Sequence, residues 1–273
     1  MKRRHLWILA LTTVALCIFL PVLVQDPYHS DFAHGIGGDG GPAAPSARHW
    51  LGTDRLFRDH LARLVYGARH SLLVGLAAGA LATVLGTLVG LGAGLFGERT
   101  LVRGVRFDDL VVFTLDVIQS FPFLLLVLAA TAVFHRVTSA VVIGVLAVTS
   151  WLAVARVVRS KTLQLQKMEF VQAARALGRG TFGVALRHIL PNLTDLLLAS
   201  MALLASQSIV AESVLGYLGL GTSPDTPNWG HMIADAQEVA LYAPWLFAAP
   251  SLLLLLTALT LQLSSLVLVE RSR

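Results

Sequence analysis

The sequence predicts an all-α membrane protein with six transmembrane helices, and three observations predict it. Only 14% of the 273 residues are charged while 55% are hydrophobic, and the mean hydropathy is +0.71, a balance foreign to soluble domains. Six stretches, 6–24, 71–96, 110–134, 139–155, 193–215 and 245–269, reach or approach the roughly 20 apolar residues that a bilayer crossing needs. Lipid cannot satisfy free backbone groups, so such runs span as helices. Lys and Arg are also unevenly placed. With a cytoplasmic N-terminus, fifteen of the 21 basic residues fall in cytoplasmic segments, and the stretch 216–244 on the opposite side carries none. This bias puts both termini and the loop 161–191 in the cytoplasm. It also accounts for a pI near 9.9 with no nucleic-acid partner.

The elements follow in order. Lys2, Arg3 and Arg4 precede the first apolar run, and no small-x-small cleavage site stands before Gln25, so 1–24 reads as an uncleaved span rather than a signal peptide. Its Cys17 is the single cysteine and cannot form an internal disulfide. Residues 25–49, rich in Gly, Pro and Ala, read as a flexible external linker. The stretch 51–69 sets Leu61, Leu64 and Val65 against Arg58, Asp59, Arg63 and Arg69, the pattern of a helix lying at the membrane surface. His29, His34, His49, His60 and His70 are irregularly spaced in polar contexts and read as solvated, with no metal site. The second span carries Gly75, Gly79, Gly86, Gly90 and Gly94, a small face for close helix approach. The third holds Asp116, Gln119 and Ser120 before Pro122. A carboxylate at that depth must face protein or water; it is a substrate ligand, a proton site or, the favoured reading, a structural acceptor.

The fourth span, 139–155, is short and bounded by Arg136 and Arg156. The polar stretch after it has its own design. Phe170, Ala173, Ala174, Leu177 and Gly178 follow i, i+3, i+4, i+7, i+8, one face of a helix, with Gln172, Arg175 and Arg179 opposite. Gly178 is a helix stop, Thr181 a candidate N-cap for a second short helix, and Pro191 its end. Such a helix-turn-helix, small on one face and basic on the other, suits a partner's groove. Beyond the fifth span, with its second carboxylate Glu212, Gly216, Gly219, Gly221, Pro224 and Pro227 forbid a regular helix and predict a structured turn at the outer face. The expected organisation is an N-terminal helix (1–24), an external linker with an interfacial segment (25–69), a core of five spans (70–269) and a short tail (270–273).

Several chemistries are excluded. The chain has no Gly-x-x-x-x-Gly-Lys-Ser/Thr loop, so it is not itself an ATPase, and it has no His-Glu-x-x-His or Cys/His cluster. Ser200, Ser206 and Ser208 have no histidine in a neighbouring span, which disfavours an intramembrane protease.

Gln172-Ala173-Ala174, Gly178 and Leu190-Pro191 resemble the Glu-Ala-Ala coupling loop of permease subunits in ABC-type importers, with Gln172 in place of Glu and His188 in place of Ile. Arg187 to Asn192 is similar to the dipeptide/oligopeptide/nickel branch of that family. Leu51-Gly-Thr-Asp54 and the stretch 211–230, Ala-Glu…Leu-Gly-Leu-Gly…Pro-Asn-Trp-Gly, resemble further segments of the same branch, although Phe57 stands where the family has Gly. The resemblance runs over about 51–235; the polar tail of the family is replaced by Leu263 to Arg273. It implies the type I permease fold of ABC importers in a bacterial inner membrane. It implies coupling to an ATPase subunit through Glu169, Gln172, Ala173, Ala174, Arg175, Gly178, Arg179, Leu190 and Pro191. Asp116, Glu212, Gly219, Gly221 and Trp229 are candidates for the translocation path or external gate. The implied partners are a sister permease, two nucleotide-binding subunits that carry ATP and Mg, and an extracytoplasmic solute-binding protein; no cofactor is expected on this chain. The alternatives are a proton-coupled secondary transporter using Asp116 and Glu212, against which no repeat between the two halves is found, and a membrane scaffold without flux.

Overall fold

The computed structural model describes residues 24–38, 40–97, 100–102, 105–134 and 136–269. The expected first span therefore lies almost wholly outside the described residues. Those residues are overwhelmingly helical and include four helices long and apolar enough to cross a membrane, or five spans if one bent pair counts as a crossing.

Helix α1 (His60–Phe96) begins where Asp59 caps it, its carboxylate accepting the Ala62 N–H at 2.7 Å. At 37 residues it is about 55 Å long, so the expected interfacial helix and second span are one continuous rod. Its glycines divide between two neighbours. A Cβ at Gly79 would lie 2.7 Å from the Ala205 backbone, and one at Gly86 or Gly90 would lie 2.6 Å or 2.5 Å from the carbonyls of Trp151 or Ala155. Helix α1 is thus the central rod against which two other spans pack at backbone distance.

A short antiparallel ribbon, β1 (Thr100–Val102) and β2 (Val105–Arg106), leads into α2 (Phe107–Gln119). The expected third span is not one helix. Helices α2 and α3 (Phe123–Ala132) meet at 84°. Pro122 lacks an N–H and excludes the helical conformation at Phe121, so the chain turns there. Helix α4 (Ser139–Gln166) starts at Thr138, whose hydroxyl accepts from Val141, and extends well past the expected boundary at 155.

The polar loop forms α5 (Glu169–Ala176) and α6 (Thr181–Val184). Gly180, not Thr181, occupies the N-cap of α6. Nor does Pro191 end the second helix. A π turn (Ala185–Ile189) and a 3-10 turn (Leu190–Leu193) carry the chain into α7 (Thr194–Tyr217). Changing from wide to tight turns absorbs the hydrogen bond that Pro191 cannot donate. Helices α8 (Trp229–Ala236) and α9 (Pro244–Val269) complete the fold, α9 packing on α7 with α8 wedged against both.

Large apolar side chains on the outside of the spans, such as Leu81, Val84 and Leu88 on α1 and Leu252, Leu255 and Leu259 on α9, are exposed, as a lipid solvent permits.

The segment 24–59 is not a flexible linker. Bridges join Ser30 to Arg58, Ile36 to Pro42 and Thr53 to Asp59, folding it as a cap over one end of the bundle. Phe57 has a φ of 58°, so the tight turn survives without glycine. Its ring packs edge-on against Phe32 at 5.7 Å.

Candidate functional site

The loop end of the bundle is built on the α5–α6 hairpin. Val171 on α5, Val184 on α6, Ile189 and Leu193 are fully buried in one cluster with Val154, Val158 and Leu165 of α4. That row anchors the hairpin. The face expected to be small and apolar points the other way, with Leu177 89% exposed and Phe170 exposed; Phe182, 75% exposed, and Leu186, outside that face, are exposed too. Ala174, Leu177, Gly178, Arg179, Arg187 and His188 line an open groove of about 600 Å³, across which the Phe170 and His188 rings approach to 6.4 Å.

Gly178 has a φ of +82°, and no neighbouring atom lies within 4 Å of where a Cβ would sit, so backbone conformation rather than space requires glycine there. The Gly178 N–H bonds to Arg175 O at 2.9 Å and the Arg179 N–H to Ala174 O at 3.1 Å, a complete Schellman cap. Arg175 donates to Gln166 Oε1, and Gln166 Nε2 donates to Gly94 O at 2.6 Å, tying the hairpin to α1. Glu169 and Gln172 are exposed, Gln172 donating to Lys167 O at 3.2 Å; Ala173 and Pro191 are exposed and Leu190 half-buried.

The candidates near the cap end differ in exposure, Glu212 and Trp229 being buried and Gly219 exposed. Glu212 is 2% exposed and accepts from Ser71 Oγ at 2.8 Å, with His70 Nε2 3.8 Å away. Trp229 is fully buried, its indole N–H donating to Leu64 O at 3.3 Å. Gly219, at φ +71°, caps α7 as Gly178 caps α5: its N–H bonds to Gly216 O and that of Leu220 to Leu215 O. Gly221 folds back on Gly216, and a Cβ at Gly216 would lie 2.7 Å from Asn228 Oδ1. These residues join α1, α7 and α8. Asp116 is separate from them, more than half exposed, and pairs with Arg156 Nη2 at 2.6 Å.

The sequence reading missed the polar interior of the cap. His49, His60, Arg58 and Arg63 are buried rather than solvated, and His70 is half-buried. Asp54 Oδ2 holds Arg58 Nε at 2.8 Å and Arg63 Nε at 3.2 Å. His49 Nδ1 lies 2.8 Å from Asp59 Oδ2 and its Nε2 3.4 Å from Asp31 Oδ2. The faint signal was Asp54 four residues before Arg58.

A second bay opens at the α2–α3 break. Gln119, Phe121, Pro122, Phe123, Ser150 and Gln207 are among the residues enclosing about 380 Å³ between the break, α4 and α7.

Residues 76–273 match the family described as binding-protein-dependent transport system inner membrane component. The chain is 33% identical over 247 residues to the dipeptide transport system permease protein DppC of Alkalihalophilus pseudofirmus, covering 90% of this chain and 77% of the relative. It is 35% identical to the oligopeptide transport system permease protein OppC of Bacillus subtilis, covering 76% and 65%. It is 34% identical to the glutathione transport system permease protein GsiD of Pectobacterium atrosepticum, covering 80% and 70%. An inward-facing structure of the MetNI methionine ABC transporter shares the fold, with a TM-score of 0.63 at 18% identity over 78% of this chain and 97% of that one. By family match and relatives alike, this chain belongs to the binding-protein-dependent transport system inner membrane components.

Proposed function

We propose that this chain is one of two permease subunits of an ATP-driven importer of peptides or similarly small solutes in a bacterial inner membrane. One of two nucleotide-binding subunits meets its α5–α6 hairpin on the cytoplasmic side, the other meeting the sister permease, and a solute-binding protein delivers to the opposite, capped side. The observation that carries this reading is the hairpin itself. It exposes Phe170, Leu177, Phe182 and Leu186 in a basic surround while Val171, Val184 and Ile189 lock it to α4. An apolar face so exposed on a rigidly anchored element is a docking face.

Mechanically, the hairpin is a lever. Closure of the nucleotide-binding pair pushes on Glu169, Gln172, Ala173, Ala174, Arg175 and Gly178. Because the helical path runs from α6 through Leu190 and Pro191 into α7, that push tilts a spanning helix directly. Arg179 adds a polar contact beside the groove. For this to drive transport, the partner must bind the two states of the bundle with different affinity. Asp116 and Arg156, as an ion pair between α2 and α4, hold those helices in register. Glu212, Gly219, Gly221 and Trp229 form the joint around which α1, α7 and α8 meet at the outer end.

The test is co-purification of a tagged chain from mild-detergent membranes, read by mass spectrometry. A nucleotide-binding ATPase and a sister permease are expected. A Gly178→Glu variant should assemble yet hydrolyse ATP without uptake. Uptake that survives ATP depletion but collapses with the proton gradient would instead favour the secondary transporter.

A further inference from the structure

The bay at the α2–α3 break carries more than the importer reading assigns. Gln207 lies near the middle of α7, in a helix apolar enough to span, yet its side chain is exposed. Gln119 ends α2 and is exposed as well, and Ser150 sits on α4 between them. Thr149, next to Ser150, is satisfied by its own helix through Val145 O. Among the described residues, the side chains of Gln119, Ser150 and Gln207 make no such bond, so their donors and acceptors are left for something else. A carboxamide facing hydrocarbon without a partner is costly. This face therefore meets water, a polar ligand or a polar group of the sister subunit, and labelling from water separates the last from the first two.

The lining has a definite character. Among the described residues, none that lines the bay is charged; Phe121, Phe123, Leu126 and Leu204 supply apolar surface and the two glutamines and Ser150 supply hydrogen bonds. Its volume, about 380 Å³, lies in the range of small-molecule sites. A glutamine carboxamide offers one acceptor and a donor side by side, the complement of a main-chain amide, which carries the same pair. With no fixed charge, the bay cannot sort side chains by sign, and its aromatic walls accept many shapes. The break at Pro122 forms one wall of it, through Phe121, Pro122 and Phe123.

We propose that this bay is a solute-contacting station of the translocation path, in which Gln119, Ser150 and Gln207 hydrogen-bond the main chain of a passing peptide without selecting its side chains. The proposal rests on the importer reading and moves the path away from Glu212 and Trp229, which are buried within the subunit.

The experiment uses the assembled importer with its co-purified partners in proteoliposomes, in a Cys17→Ser background. Single cysteines replace Gln119, Gln207 and, as a lipid-facing control, Leu256. The probe is a permanently charged methanethiosulfonate. Labelling at 119 and 207 at least about tenfold faster than at 256 is expected; equal, slow labelling overturns the proposal, whether lipid or a sister-subunit helix covers the bay. In parallel, uptake of tri-alanine is compared with ATP hydrolysis. Gln119→Leu with Gln207→Leu should lower uptake about tenfold, two hydrogen bonds being lost, while ATP turnover stays within about twofold. Gln207→Asn, which keeps a carboxamide, should recover part of it. Unchanged uptake in the double leucine variant overturns the main-chain role. If the unsubstituted importer takes up no tri-alanine, the peptide reading itself falls, and the proposal with it.

Discussion

At the scale of single residues, the cap shows how far a charged side chain can depart from its expected place. Arg58 and Arg63 are buried with Asp54 pairing to both at hydrogen-bonding distance and Asp235 adding a second negative charge near Arg63. Removing one member of such a set leaves an uncompensated buried charge, at about 3–5 kcal/mol. Asp54→Asn should therefore lower the midpoint of thermal unfolding in detergent markedly, and a variant as stable as the parent would show that the cap does not depend on this cluster. Beyond the i, i+4 spacing of Asp54 and Arg58, little of this was legible in the sequence. Arg58 and Arg63 fell on the polar side of a helical repeat, and charged residues are rarely buried unless paired; the pairing is set by a bend at 54–57 that the repeat does not encode. Gly178 was legible, since a glycine at the end of an apolar periodic run is the usual left-handed helix stop, whereas Gly219 read only as part of a turn and its capping role came from the structure.

At the scale of elements, the glycine row of α1 was readable as a packing face but not as two faces. Gly90 touches the α4 backbone, whereas Gly92, two residues on, has only Phe107 at 4.0 Å. Gly90→Leu should prevent proper folding, by overpacking of roughly 1–3 kcal/mol or more, while Gly92→Leu should be tolerated; expression of monodisperse protein reads the difference. Helix α8 gives a pH dependence. Burial holds the His231 imidazole below its usual 6.5, so the unfolded chain binds that proton more tightly. Its contribution to stability is complete above about pH 6.5 and is lost as the pH falls through that value towards the folded one. Between about pH 7.5 and about pH 5.5 the unfolding midpoint should drop, and the drop should shrink in His231→Gln. Proline had opposite outcomes in two places: no break was expected at Pro122, inside the third span, and a helix end was expected at Pro191. Pro122 bends a span by 84°, whereas Pro191 is absorbed within a continuous helical path. Local composition does not separate these cases; the difference lies in whether neighbouring turns can adjust.

At the scale of the whole molecule, the bundle is complete inside but unfinished outside. Leu177 and Phe182 contribute little to internal packing, being 89% and 75% exposed. Leu177→Glu with Phe182→Glu should leave the unfolding midpoint of the isolated subunit unchanged and abolish recovery of the nucleotide-binding partner in a pull-down; retained recovery would place the docking face elsewhere. By itself the sequence determined the helical membrane class, the position of most spans and the family, because apolar length, basic-residue bias and glycine or proline spacing are local properties that the bilayer and the backbone read directly. The tertiary structure alone decided that 24–59 is a folded cap, that the third span is broken, that Glu212 and Trp229 form a buried joint, and that Gln119, Ser150 and Gln207 share one bay. The joint and the bay depend on residues far apart in the chain meeting across α1, α4 and α7, while the cap and the break turn on bridges and a bend whose outcome the hydropathy pattern of one segment does not encode.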